Sequence, residues 1–137
     1  MLHVRNAAVL DTPLTLPTGL TPVPFDTVVH NTNGATVLKT DVVEINNPGM
    51  YHASCEVVFE NDTSAAIMTG IMLYADGEAV PGAVADISVP ASGQASISLP
   101  WTVAVKAAQS GKASIGWRVL GAGASLVNAY AIVWRMV

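Results

Sequence analysis

The sequence predicts a single all-β domain, and three observations favour that fold class. Val, Ile and Thr, which suit strands, recur through the 137 residues. Turn signals return about every ten residues, as they do in all-β domains. The 3.6-residue period of an amphipathic helix is almost absent, so no helix of three turns is expected. A chain of this length fits one domain and can bury a core without disulfides or metals.

The composition is unusually apolar for a protein without a partner. Hydrophobic residues make up 51% of the chain and charged residues only 12%, with a mean hydropathy of +0.46. A membrane could hide the excess apolar surface, but the longest uncharged runs, residues 87–105 and 119–134, are interrupted by Pro, Gly, Ser or Asn. A spanning helix needs about 20 mostly apolar residues. We therefore expect oligomerisation and no membrane insertion.

Charge and cysteine content exclude several other classes. The formal net charge is −4, and the basic residues do not cluster, which argues against nucleic-acid binding. Cys55 is the single cysteine, so neither an intrachain disulfide nor a Cys-based zinc site is expected. The first residues lack the basic start and apolar core of a signal peptide, which predicts synthesis in a cytoplasm.

Residues 1–24 are predicted to form an extended arm that precedes the domain at residues 25–137. Proline has no backbone N–H to donate to a strand ladder. The segment holds four prolines: Pro13, Pro17, Pro22 and Pro24. One short strand is expected within it, at Ala7–Leu10.

From residue 25 onward the strand pattern is denser. The predicted strands are Phe25–His30, Thr36–Leu38, Val42–Ile45, 51–59, Ala66–Tyr74, Glu78–Val80, Val84–Val89, 94–105, Ala113–Leu120 and Ser125–Val137. Turns are predicted at Asn33-Gly34, Asn47-Pro48-Gly49, Asp76-Gly77 and Ser110-Gly111. The segment 51–59 alternates most clearly, with its odd positions facing a core. Cys55 falls on that inward face, which is typical of a small buried hydrophobe.

The last strand is apolar on both of its predicted faces. One face carries Leu126, Tyr130, Ile132, Trp134 and Met136, and the other carries Val127, Ala129, Ala131, Val133 and Val137. A strand of a sandwich needs only one buried face. We therefore expect the second face to be covered from outside, by another copy of the chain.

Several short motifs, in order, resemble the C1q/TNF-like jelly-roll domain. They are Phe25-Asp26-Thr27-Val28-Val29-His30-Asn31, Gly49-Met50-Tyr51, the hairpin Leu73-Tyr74-Ala75-Asp76-Gly77 and the closing Ala129-Tyr130-Ala131-Ile132-Val133-Trp134. The resemblance covers about residues 23–137. It implies an antiparallel two-sheet jelly-roll sandwich of about ten strands that forms a homotrimer. It also implies that Tyr51, Tyr130, Ile132 and Trp134 pack near the trimer axis or in the inner core.

The chain lacks a collagen-like Gly-X-Y stalk, so it is most similar to the compact C1q-like modules of bacteria and bacteriophages. That similarity implies a non-catalytic virion protein made in a host cytoplasm: a capsid decoration, head fibre or fibre-tip module. Residues 1–24 would then attach it to a capsid or fibre protein, and a host-surface glycan or protein could be its ligand. The alternatives are a bacterial surface or spore-coat protein and a sugar-binding module. Exposure of Trp101 or Trp117 would favour sugar binding, but both alternate in phase with core positions and are predicted to be buried.

The residues that carry chemistry are too scattered to predict a catalytic or metal site. His3, His30 and His52 show no zinc-ligand spacing. Glu56 and Glu60 share a strand face but are roughly 13 Å apart, too far for a glycosidase pair. Some relatives bind calcium in apical loops, but Asp62, Asp76, Glu78 and Asp86 form no D-x-D-x-D run. No enzyme, cofactor or metal is therefore expected. Any ligand would meet the loops at 31–35, 60–65, 76–78, 91–94 and 121–125.

Overall fold

The computed structural model describes residues 1–32, 36–39, 42–45, 47–105 and 113–136, and within these ranges the chain forms two six-stranded antiparallel sheets. The elements are β1 (Leu2–Arg5), α1 (Ala8–Asp11), β2 (Leu14–Thr15), β3 (Gly19–Pro22), β4 (Thr27–Asn31), β5 (Thr36–Lys39), β6 (Val42–Ile45), β7 (Gly49–Asn61), β8 (Ile67–Ala75), β9 (Glu78–Val89), β10 (Gly93–Val105), β11 (Ala113–Gly121) and β12 (Ser125–Arg135). The turns predicted at Asn33-Gly34 and Ser110-Gly111 lie outside the described residues, as does Val137.

The strands are ordered β10-β7-β12-β1-β4 in the first sheet and β5-β6-β11-β8-β9 in the second. β2 pairs with β12 and β3 pairs with β11, each outside this main order. Strands that are distant in sequence therefore lie side by side, as β7 and β10 do along their whole length from Gly49↔Val105 to Asn61↔Gly93. The all-β, two-sheet prediction is confirmed, and the twelve described strands exceed the expected ten because residues 1–24 supply three of them.

The core lies between the two sheets and is built from the inward side of each strand. The inward residues predicted for 51–59 are confirmed, since Tyr51, Ala53, Cys55, Val57 and Phe59 are all fully buried. They face the inward residues of the second sheet, which include Ile71, Leu73, Ile115 and Trp117. Burial raises the pKa of the Cys55 thiol far above its ordinary value, so the group stays a neutral packing side chain.

Residues 1–24 are not a separate arm, because they supply strands to both sheets. β1 lies between β12 and β4, and Leu2 and Val4 are fully buried. β3 lies beside β11 where β6 no longer reaches it. Pro22 is tolerated at the end of β3 because this short strand has one pairing partner, and an edge strand can leave an N–H position empty. The predicted boundary after residue 24 therefore does not divide the chain into two units.

The strand predicted at Ala7–Leu10 is also wrong, since α1 makes a single helical turn there. Two side chains accept hydrogen bonds from the backbone N–H groups at the start of α1. The Asp26 carboxylate accepts hydrogen bonds from the backbone N–H of Ala7 at 2.8 Å and of Ala8 at 3.2 Å, and Asn6 Oδ1 accepts one from the N–H of Val9. Side-chain acceptors at a helix start stabilise it, and Asp26 lies too far along the sequence for a local pattern to reveal this contact. No helix of the described ranges is long and apolar enough to cross a membrane.

The hairpin turn before β9 agrees with the prediction, whereas β9 itself differs from it. The Asp76-Gly77 turn is confirmed, with φ of 52° and 80° at the two residues, which suits a tight hairpin. The two strands predicted after it form a single strand, because the chain continues through Pro81 and through Gly82 at a φ of 80°. The register of the β8–β9 pairing shifts between Met72 and Tyr74 of β8, opposite this part of β9.

Candidate functional site: the outward face of the first sheet

The outward face of the first sheet is centred on β12, which lies between β7 and β1. The register places Ile132 opposite Ser54 on one side and His3 on the other. Tyr130, two residues earlier, lies between Glu56 and Arg5. Side chains that are opposite each other in neighbouring strands are in contact range, so these residues form rows that run across the sheet.

Aromatic and histidine side chains make the specific contacts on this face. Trp134 stacks on the ring of His52, with 4.2 Å between centroids and 29° between planes. The hydroxyl of Tyr130 lies 2.8 Å from Nδ1 of His3, and the His3 ring meets the edge of His30 at 5.8 Å. These contacts group His3 and His30 with Tyr130, whereas His52 contacts Trp134 on the other side of β12.

The four residues predicted for the interface or inner core divide between two places. Tyr51 is fully buried between the sheets, where its hydroxyl donates a hydrogen bond to the carbonyl oxygen of Asn47 at 2.7 Å. Burial raises the pKa of this phenol. Tyr130 and Ile132 are half-buried on the outward face, and Trp134 is 37% exposed there. Three of the four candidates therefore share one surface, and Tyr51 lies on the other side of the sheet.

Leu126 departs from the predicted face of the last strand. A register shift between Leu126 and Asn128 marks an extra residue in β12. Such a bulge reverses the alternation beyond it. Leu126 is consequently fully buried with Ala129, Ala131 and Val133, whereas Tyr130, Ile132 and Trp134 face outward. The expectation that one strand is apolar on both sides holds from residue 129 onward, although Leu126 belongs to the core side.

Two methionines extend the apolar surface at one end of this face: Met136, which the sequence placed there, and Met50, which it did not. Met50 is 43% exposed and Met136 is 51% exposed, and their backbones are joined by a hydrogen bond from the Met136 N–H to the Met50 carbonyl at 2.8 Å. Met50 directly precedes the buried Tyr51, so the alternation of β7 could have assigned it outward. His3 carried no such signal, because β1 was not predicted.

The remaining candidates for chemistry lie apart. Glu56, exposed on β7, has its carboxylate 3.5 Å from the hydroxyl of Ser98 on β10. Asp62 lies in the loop after β7, Asp76 in the hairpin turn, and Glu78 and Asp86 along β9. In the part of the chain that the structure describes, no three His, Cys, Asp or Glu side chains are close enough to hold a metal ion. Trp117 is buried, as predicted, but Trp101 is only half-buried at the rim of the core.

Comparisons with known proteins identify the fold. No protein-family model matches the sequence, and no curated protein matches it. The globular domain of zebrafish complement 1qA protein is similar in structure, with a TM-score of 0.68 and 11% identity over 99% of this chain and 96% of that one. Murine APRIL at pH 8.0 gives a TM-score of 0.64 and 16% identity over 96% and 95% of the two chains. Murine APRIL at pH 5.0 gives 0.62 and 13% over 95% and 97%.

These neighbours are C1q and TNF-family domains, and the likeness extends over nearly the whole length of both chains. The chain therefore has the C1q/TNF-like jelly-roll fold, as the sequence motifs predicted. At such low identity the likeness carries the fold alone, and function has to be argued from the surfaces.

Proposed function

We propose that the chain is a non-catalytic structural and binding module that assembles as a homotrimer through the outward face of the first sheet. The observation that carries the proposal is the row of large side chains on β12. Tyr130, Ile132 and Trp134 follow one another on the outward side of the central strand of the sheet, where they are half-buried or exposed among the described residues. A contiguous apolar patch of this kind usually marks an interface.

The distribution of polarity across the face supports an interface centred on β12. Four of the six outward positions of β10 at the sheet edge are polar and exposed: Gln94, Ser96, Ser98 and Thr102. Protein interfaces commonly have an apolar, aromatic-rich centre surrounded by a polar rim. The edge strand would therefore form the rim and β12 the centre, where Trp134, Met50 and Met136 add apolar surface at one end.

A pair of matched substitutions tests the assembly. Ile132→Lys places a charge at the centre of the proposed interface, and Met68→Lys places the same charge on the outward side of β8, where Met68 is 60% exposed. The unmodified chain and Met68→Lys should sediment at three times the 14.2 kDa chain mass, because only the interface position is buried in the trimer. Ile132→Lys should shift to monomer at micromolar concentration, with its far-ultraviolet circular dichroism unchanged.

An unmodified chain that sediments as a monomer would refute the trimer. A folded Ile132→Lys variant that keeps the same trimeric mass as Met68→Lys would refute the outward face of β12 as the trimer interface. If Ile132→Lys does not fold, Trp134→Ser provides the second test, because Trp134 is the most exposed of the three side chains and its loss should weaken the assembly without opening the core.

We further propose that the module acts on a bacteriophage virion, as a capsid decoration, head fibre or fibre-tip component. Support comes from the resemblance of its motifs to compact C1q-like modules of bacteria and phages. Three identical copies would present the same loops together, so that weak contacts to a host surface add through effective concentration. Because residues 1–24 are built into both sheets, they are not part of this proposal as an attachment arm.

Mass spectrometry of purified particles tests the virion assignment. The chain should be present in stoichiometric amounts in intact virions and absent from host envelope fractions. Recovery in a bacterial cell-surface or spore-coat fraction without particles would instead establish the alternative, a bacterial surface protein of the same fold.

A further inference from the structure

The outward face of the second sheet holds a cavity of about 140 Å³ that the proposed trimer does not use. Its centre is Gly116 of β11, which is paired with Val42 of β6 on one side and with Tyr74 of β8 on the other. Ile115 and Trp117 on either side of Gly116 point into the core. Gly116 therefore lies on the outward side, and its missing side chain leaves a depression between two larger ones.

One wall of this cavity carries a positioned cation. The guanidinium carbon of Arg118 lies 4.2 Å above the centre of the Tyr74 ring, an arrangement that holds the charged group in place. Among the described residues Arg118 has no hydrogen bond or ion pair besides this ring contact. The five N–H donors of a guanidinium match the two oxygens of a carboxylate, and no described residue accepts from those of Arg118.

The other end of the cavity has the opposite polarity. Ser114 lines it, and the register places Glu44 opposite Ser114. Glu44 Oε2 is buried without a hydrogen-bond partner among the described residues. Ser114 and Arg118 are four positions apart on one strand, so their Cα atoms are roughly 13 Å apart. The lining is mainly apolar and includes Pro22, Val42 and Trp117.

We propose that this cavity binds an organic carboxylate carried on a compact, partly apolar body. Arg118 would hold the carboxylate, the apolar lining would contact the body, and a hydroxyl or amide N–H of the ligand would point toward Ser114 and Glu44. Two ligand sources present this chemistry: an acidic sugar and the C-terminal carboxylate of a peptide. The site lies on the opposite sheet from the proposed trimer interface and does not depend on trimer formation.

Nuclear magnetic resonance titration of the full-length protein tests the site. Two acids, sodium methyl glucuronide and N-acetylvaline, are each compared with a neutral counterpart, methyl glucoside and N-acetylvalinamide. The backbone amides of Gly116, Trp117 and Arg118 on β11 report on the cavity. At least one acid should shift these resonances with a dissociation constant of about a millimolar, and its neutral counterpart should not. The acid that binds identifies the source.

Substitutions at residue 118 separate recognition by the guanidinium from simple charge attraction. Arg118→Ala should weaken binding of the acid about tenfold or more. The affinity of Arg118→Lys should lie between that of Arg118→Ala and that of the unmodified chain, because Lys keeps the positive charge but lacks the planar guanidinium. Arg5→Ala on the first sheet is the matched control and should bind as the unmodified chain does. Three results would overturn the proposal: no response to either acid, an equal response to the neutral compounds, or unchanged affinity in a folded Arg118→Ala protein.

Discussion

β7 and β1 both pair with β12, one on each side, yet only β7 is evident from its own sequence. β7 runs for thirteen residues with its inward side chains at every second position. β1 has only four residues and lies in a segment rich in proline, although Leu2 and Val4 are buried as completely as Phe59. The comparison teaches that a strand can lie inside a sheet although its own sequence shows no long alternation of buried and exposed residues. Backbone pairing with the neighbouring strands holds it there.

Deleting residues 1–5 should have the largest effect. The deletion exposes one side of β12 and separates β4 from the sheet, so we expect loss of the cooperative unfolding transition in thermal melts. The double substitution His3→Ser with Arg5→Ser is the control, because both side chains face outward and the strand remains. A deleted protein that still melts cooperatively would mean that β1 is dispensable, as an attached arm would be.

Two core truncations compare the strands directly. Phe59→Ala in β7 should cost about 4 kcal/mol of unfolding free energy and Leu2→Ala in β1 about 3 kcal/mol, because each leaves a cavity in a packed core. Urea unfolding monitored by Trp fluorescence measures both. A cost below about 1 kcal/mol for Leu2→Ala, which is typical of a surface position, would contradict the burial of β1.

The next largest effect on stability is expected from a substitution of Asn61, at the end of β7. Its side-chain amide donates to the carbonyl oxygens of Ala65 at 2.8 Å and Val89 at 3.2 Å, and its Oδ1 accepts from the N–H of Thr63 at 2.9 Å. Asn61→Ala removes the hydrogen bonds of this fully buried side chain, so we expect a loss of about 2 kcal/mol in urea unfolding. Asp62→Ala, at the exposed neighbouring position, should be nearly neutral. Equal effects of the two would show that the amide network does not stabilise the fold.

The smallest expected effect concerns Asp26, whose N–H donates to the carbonyl of Arg5 at the end of β1. Burial raises the pKa of its carboxyl, but hydrogen bonds from Thr27, Ala7 and Ala8 outweigh this, so the pKa lies below the ordinary 3.8. The charged form is therefore held more strongly in the folded state. Its stabilising contribution is complete above the ordinary pKa and is lost as the pH falls through the lowered one.

Asp26→Asn tests that linkage. The melting temperature of the unmodified chain should exceed that of the variant at neutral pH, and the gap should narrow between about pH 5 and about pH 2. Asp62→Asn, which removes an exposed carboxyl outside this network, is the control for the general effect of losing one negative charge. A gap for Asp26→Asn that stays constant with pH would rule out the charge as its cause.

The fold class and most of its long strands were predictable because their information is local. In β7 each inward residue is two positions from the next, and the Asp76-Gly77 turn depends on the backbone freedom of its own residues. On the outward face, the alternation of β12 correctly grouped Tyr130, Ile132 and Trp134. The same alternation misplaced Leu126, because a bulge depends on how β12 aligns with β7 and not on β12 itself.

The sequence by itself determined that the chain is an all-β sandwich with an alternating core, because side-chain periodicity and turn chemistry act over a few residues. The tertiary structure decided what residues 1–24 do. The α1 turn needs the Asp26 carboxylate, and β3 needs Gly121, where a Cβ would lie 1.8 Å from the carbonyl oxygen of Pro17. It also decided that Arg118 lies over Tyr74 and that His3 and His30 meet beside Tyr130. Such contacts join residues far apart in sequence, so they exist only once the strands are paired.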